Sequence, residues 1–188
     1  MIILVGLLIL DCVLGTVLYG LKGKDSYKKI FLLIMFGNMI IISGFRGYSV
    51  GIDTSNYALM YEMVRDGGVN SFTVLSGQYE FGFLLLTYIL SRVFFSPTAL
   101  FFTCSVIICI SFARIFYKYS ANVVMSTFLF IMWFFPSTMN TMRQYVALSV
   151  FLFSLEFIEN KKIIQYLIII AIAMSFHVTA SIFFALAI

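Results

Sequence analysis

The chain has 188 residues, of which 62% are hydrophobic and 11% charged, with a formal net charge of +4. Soluble domains carry roughly 45–50% apolar and about 25% charged residues, so a soluble fold is excluded, as are disordered and collagen-like chains. A mean hydropathy of +1.06 points to an integral membrane protein built only of helices, because a bilayer offers no partner to an unpaired backbone amide.

A transmembrane β-barrel would need alternating residues, and solid apolar blocks stand here instead. The basic residues form short clusters between those blocks. There they set orientation in the membrane, and binding to nucleic acid is not expected.

The first block, MIILVGLLILDCVLGTVLYGL, lacks a basic leader and a small-residue cleavage site, so it reads as a retained helix. A crossing helix needs about 20 apolar residues, within a range of about 17–25. The segments that qualify are 2–21, 29–45, 81–95, 98–116, 121–136, 142–159 and 163–188. They make a polytopic bundle of about six or seven membrane segments. Lys22, Lys24, Lys28 and Lys29 outnumber Asp25 between the first two, which places that turn in the cytoplasm. Segment 46–80 then faces outward, and its acids Asp53, Glu62, Asp66 and Glu80 outnumber Arg46 and Arg65.

Within that outer segment, Tyr57, Met60, Tyr61 and Val64 recur at the spacing of one helical face. The spacing predicts an amphipathic helix near 54–66, ended by Gly67 and Gly68 and lying in the interface with its tyrosines at headgroup depth. Asp53 stands where the N-cap of this helix belongs.

Arg114 with Lys118, and Lys161 with Lys162, also read as cytoplasmic turns. A full crossing by 81–95 would put them outside. Arg92 and Pro97 shorten that segment, so a tilted or re-entrant 81–95 is expected. The final block ends on SIFFALAI without a polar flank, as expected of one transmembrane domain, 1–188, forming the front part of a longer protein. Cys12, Cys104 and Cys109 form neither an even set nor a CxxC pair, so no disulfide and no metal site is expected.

Ionisable groups inside spans cost at least about 2.5–3.5 kcal/mol at the bilayer centre, which singles out Asp11, Arg143 and His177. Asp11 reads as a lone acid kept neutral by burial, or as a packing contact. The polar turn Asn160-Lys161-Lys162 makes an antiparallel hairpin of the last two helices. Arg143 lies about 17 residues before the turn, ~25 Å along the axis, and His177 about 15 residues after it, ~22 Å. A guanidinium and an imidazole at one depth suggest an anion clamp beside a proton acceptor. The plainer alternatives are a core histidine and an arginine reaching up to the interface.

Four stretches together carry a resemblance. Phe45-Arg46-Gly47-Tyr48-Ser49-Val50-Gly51-Ile52-Asp53-Thr54-Ser55-Asn56-Tyr57 resembles the FR-x(4)-GxDTxxY element of EpsG-type, Wzy-like polysaccharide polymerases. Tyr79-Glu80-Phe81-Gly82-Phe83 resembles the family's E-x-G-F element, with Phe81 where proline is frequent. Asn140-Thr141-Met142-Arg143-Gln144-Tyr145-Val146-Ala147 and Ser175-Phe176-His177-Val178-Thr179-Ala180 resemble its N-x-[IM]-RQ and FH-x-[ST]-A elements, in the family's order.

The resemblance implies a bacterial cytoplasmic-membrane enzyme that passes many times through the bilayer. It would move a growing glycan from its polyprenyl diphosphate carrier to a hydroxyl of the next lipid-linked repeat unit, in exopolysaccharide or capsule synthesis. A flippase and a chain-length regulator are the further partners implied, and no cofactor is. In that reaction His177 is the expected base with Asp53 as runner-up, Arg143 and Arg46 hold the diphosphate, and Tyr57, Glu80 and Gln144 contact glycan. The rival classes are a transporter or exporter subunit, which would show inverted repeats and helices broken at the midplane, and a membrane O-acyltransferase, which gives no reason for the Arg46–Asp53 element.

Overall fold

The computed structural model describes the backbone of residues 2–19 and 24–187 and the side chains of 2–18 and 25–185. Lys22, and the side chain of Lys24, therefore lie outside the described residues. The helices are α1 (Ile2–Tyr19), α2 (Lys24–Gly44), α3 (Thr54–Gly67), α4 (Ser71–Leu75), α5 (Phe81–Val93), α6 (Thr98–Tyr119), α7 (Val123–Leu129), α8 (Phe135–Asn140), α9 (Met142–Glu159) and α10 (Ile163–Phe176). A π turn at Phe130–Phe134 joins α7 to α8, and a 3₁₀ stretch, Val178–Ala187, follows α10. No strand occurs among the described residues. The fold is a helical membrane bundle.

Three stretches are long and apolar enough to cross a membrane: Asp25–Gly44, Thr98–Tyr119 and Val123–Asn140. Ile2–Leu18, Phe81–Val93 and Ile163–Phe176 are apolar but shorter. α9 has 18 residues and carries Arg143, Glu156 and Glu159. The span predicted at 121–136 runs on to Asn140. Pro136 lacks the N–H that the Met132 carbonyl would take in a regular helix, and the π turn just ahead of it absorbs the misfit.

The last predicted span, 163–188, is corrected. Its α-helix ends at Phe176, and His177 is extended (φ −162°, ψ 128°) before the tighter 3₁₀ stretch begins. The break is stabilised from outside, because the Glu80 carboxylate accepts the freed Val178 N–H at 3.3 Å.

Side-chain contacts assign residues to the two ends of the bundle. At one end Lys28 Nζ donates to the Ser120 carbonyl at 3.3 Å, and Lys29 Nζ lies 5.6 Å from the centre of the Tyr117 ring. Lys118 at the same end pairs with Glu156 and Glu159. At the other end Ser43 bonds Ser105 across α2 and α6 at 2.8 Å, and Arg46 lies 4.5 Å over Phe101 and 3.7 Å from Met142 Sδ. The start of α5 belongs here too, since Glu80 reaches Arg143 and His177. Both α5 and α6 thus begin at the Met142 end. The 13 residues of α5, about 20 Å of helix, do not carry the chain to the lysine end. This arrangement places Arg114, Lys118, Lys161 and Lys162 beside Lys28 and Lys29.

α3 forms where predicted, but its setting differs. Tyr57, Met60, Tyr61 and Val64 are buried in one apolar cluster with Phe83, Leu84, Leu100 and Phe101, and the Tyr61 hydroxyl donates to the Phe94 carbonyl at 2.6 Å. The tyrosine face packs on α5 and α6 and is not offered to headgroups. A helical face with two tyrosines reads identically for an interface and for a protein neighbour, so periodicity did not separate the two.

Candidate functional site

The centre of the site is Glu80, the residue before α5. Its Oε1 lies 2.5 Å from His177 Nδ1 and its Oε2 lies 2.5 Å from Arg143 Nη1. Three distant sequence elements therefore meet on one carboxylate. The approach depends on Gly82, one turn inside α5. A Cβ built there would fall 2.7 Å from the Ser175 carbonyl oxygen and 2.9 Å from its carbon, a clash of backbone that no rotamer relieves.

Each partner is fixed by a second contact. Arg143 Nη1 also donates to the Gln78 carbonyl at 2.9 Å, and its guanidinium lies 4.8 Å over the Tyr79 ring. Arg143 Nε is buried with no acceptor among the described residues, a donor whose desolvation costs about 1–3 kcal/mol when unmet. His177 sits in the extended link between α10 and the 3₁₀ stretch. Side chains of all three are about one-fifth exposed or less (21% for Arg143 and Glu80, 16% for His177). Burial alone raises the Glu80 pKa, but backbone N–H groups, Arg143 and His177 outweigh it and hold the carboxyl below its ordinary value.

The Phe45–Tyr57 element frames the same end. Arg46 is buried. Its Nη1 donates to the Ser43 carbonyl at 2.8 Å, its Nε to Thr54 Oγ1 at 3.2 Å and its Nη2 to the Met139 carbonyl at 3.4 Å. Burial pulls this guanidinium down to about 10. Every nitrogen of Arg46 is thus engaged with the chain itself, tying the loop to the start of α9. Gly51 has φ +91°, and a Cβ there would lie 2.7 Å from Asn140 Oδ1. That oxygen accepts the Ile52 N–H at 2.8 Å.

Asp53 does precede α3, but its backbone is helical (φ −94°, ψ −2°) and its side chain caps nothing. An effective N-cap needs an extended backbone to aim its oxygen at the first N–H groups. The Asp53 carboxylate is left without a hydrogen bond, and its charge acts on the phenols of Tyr57 and Tyr79. Tyr57 packs on Tyr79 and Phe83, with its hydroxyl 3.4 Å from the Asn140 carbonyl. Gln144 is exposed on α9 and lines an open cleft with Asn140 and Tyr145.

The structure therefore brings Arg143, His177, Glu80, Asp53 and Tyr57 to one end of the bundle, with Arg46 beneath as a tie and Gln144 beside. Asp11 stays apart, fully buried on α1 with neither oxygen hydrogen-bonded. Two participants were not singled out from sequence, the Tyr79 ring under Arg143 and the Asn140 amide holding Ile52. Each adjoins a charged motif residue, and that adjacency was the available signal. Among the described residues no three His, Cys, Asp or Glu side chains gather as metal ligands do.

Chemically, a histidine whose Nδ1 faces a carboxylate keeps Nε2 for proton transfer. An arginine beside it supplies donors for an anion. No curated protein and no solved structure matches the chain. The model of the EpsG family matches residues 29–188, from α2 through all four of the stretches gathered at this end, and the chain belongs to that family.

Proposed function

We propose that the protein is a polysaccharide polymerase of the cytoplasmic membrane, acting at the outer face on glycans linked to polyprenyl diphosphate. The observation that carries the reading is the Arg143–Glu80–His177 contact at the end of the bundle opposite the lysines. The excess of Lys and Arg marks the cytoplasmic side, which leaves this site outside, and the chain then crosses the bilayer several times.

In the reaction, the acceptor hydroxyl gives its proton to His177 Nε2 while its oxygen bonds to the anomeric carbon of the donor glycan. The bond from that carbon to the diphosphate oxygen breaks, and the diphosphate leaves with the electron pair. Glu80 acts as the positioning residue for His177, fixing the tautomer through Nδ1. The leaving diphosphate develops charge on oxygen and needs fixed donors there. Arg143, with its buried and unpartnered Nε, supplies them; a lysine cannot match that fork. Asp53, a carboxylate without a hydrogen-bond partner, is the alternative base.

The test is to replace Arg143 by Lys in the producing cell and to run the lipid-linked and polymeric glycan on a gel. Polymer falls to single repeat units while membrane insertion persists. Polymer of unchanged length from the variant overturns the reading.

A further inference from the structure

Next to the charged contact lies an open cleft of about 510 Å³ lined by Ser137, Asn140, Thr141, Gln144, Tyr145 and Leu148. The size falls within the roughly 300–1,000 Å³ usual for small-molecule sites. Its lining holds hydroxyls, amides and one phenol, and no charged side chain. We infer that this cleft is a saccharide subsite that takes uncharged sugar units and turns away uronic acids, an assignment that rests on the polymerase reading and gives it a substrate class.

Three observations support it. The first is unspent hydrogen-bonding capacity. Gln144 is exposed and its amide bonds to nothing, and Asn140 uses Oδ1 for Ile52 N–H while Nδ2 stays without a partner. Amides and hydroxyls both donate and accept, as sugar hydroxyls do.

The second is charge. A sugar carboxylate placed in this cleft finds no cation in the lining and loses hydration without replacement. Arg143, the cation next to Gln144 in sequence, is already held by Glu80 at 2.5 Å.

The third is position. Asn140 borders both regions, with its carbonyl facing the Tyr57 hydroxyl at 3.4 Å. Arg143 and Gln144 are successive residues of one helix, about 100° apart around its axis, so they present to two adjoining sides. A glycan in the cleft and a diphosphate at Arg143 can therefore belong to one substrate.

The experiment uses the full chain in nanodiscs and titrates two probes of similar length, N-acetylglucosamine tetramer and tetragalacturonate, by saturation-transfer NMR. The neutral probe binds and the acidic one does not. Gln144→Ala and Tyr145→Phe each weaken the neutral probe about three- to tenfold, the value of one hydrogen bond. Gln144 is exposed, so its loss leaves the fold intact, and a single gel-filtration peak verifies this.

Equal binding of both probes, or neutral binding unchanged in Gln144→Ala, overturns the subsite. The two readings fail separately. A wild-type chain that binds neutral glycan selectively without lengthening lipid-linked repeats keeps the subsite and sinks the polymerase, while one that polymerises without this selectivity does the reverse.

Discussion

At the residue scale, Glu80 organises the site. Its two oxygens hold an arginine and a histidine that lie 63 and 97 positions away in the chain. The sequence showed that Arg143 and His177 reach one depth, because helical rise and a tight turn are enough to calculate that. It did not show what joins them, since spacing carries no information about which loop folds over a hairpin.

The Glu80 pKa, lowered in the fold, yields a pH prediction with a definite sign. A carboxyl whose folded value lies below its unfolded value contributes stability above the unfolded value, near 4.5. It loses that contribution as pH falls through the lowered one. The thermal midpoint of the detergent-solubilised protein therefore drops on acidification below that point. In Glu80→Gln the midpoint starts lower at neutral pH and falls less steeply. Identical slopes for the two proteins would show that Glu80 pairing contributes nothing.

At the scale of elements, two helices differ from their expected form, for one reason each. The α10 helix stops at Phe176 because a carboxylate from another element satisfies the backbone beyond it, an interaction that apolar run length cannot reveal. The α3 helix has the predicted bounds within a residue, but its tyrosine face meets protein. By contrast, the shortness of α5 was legible: Arg92 and Pro97 bracket it in the sequence, and the helix closes at Val93.

The contact of α5 with α10 rests on Gly82 lying against Ser175. Gly82→Val pushes the two helices apart, moves Glu80 away from His177 and costs about 1–3 kcal/mol as overpacking does. A drop of several degrees in thermal midpoint, with polymer lost, is the expected result. A full-length polymer and an unchanged midpoint would mean that the two helices tolerate separation.

On the scale of the whole molecule, charge and chemistry divide between opposite ends. Composition alone gave the helical membrane class, and motif order gave the family. Sidedness needed the fold, because only the contacts of Ser43 with Ser105 and of Glu80 with Arg143 show that α5 returns no charge to the wrong side. Single cysteines placed at Ser96 and at Lys161, in a chain freed of its own cysteines, test the division. An impermeant maleimide added to intact spheroplasts labels Ser96→Cys and spares Lys161→Cys. Labelling of both from outside, or of Lys161→Cys alone, contradicts the assignment.

The π turn at Phe130–Phe134 connects these two ends in a way that length alone does not. It spends one residue more than a regular turn, so it acts as a phase shifter halfway along the path from Val123 to Asn140. Each residue added to or removed from a helix rotates everything downstream by about 100°. Shortening this stretch by one residue would straighten the rod and swing the Asn140 amide off Ile52, unlatching the outer loop from a distance without touching it. The wide turn is thus the gear that sets the angle at which the far end of this rod meets its neighbours.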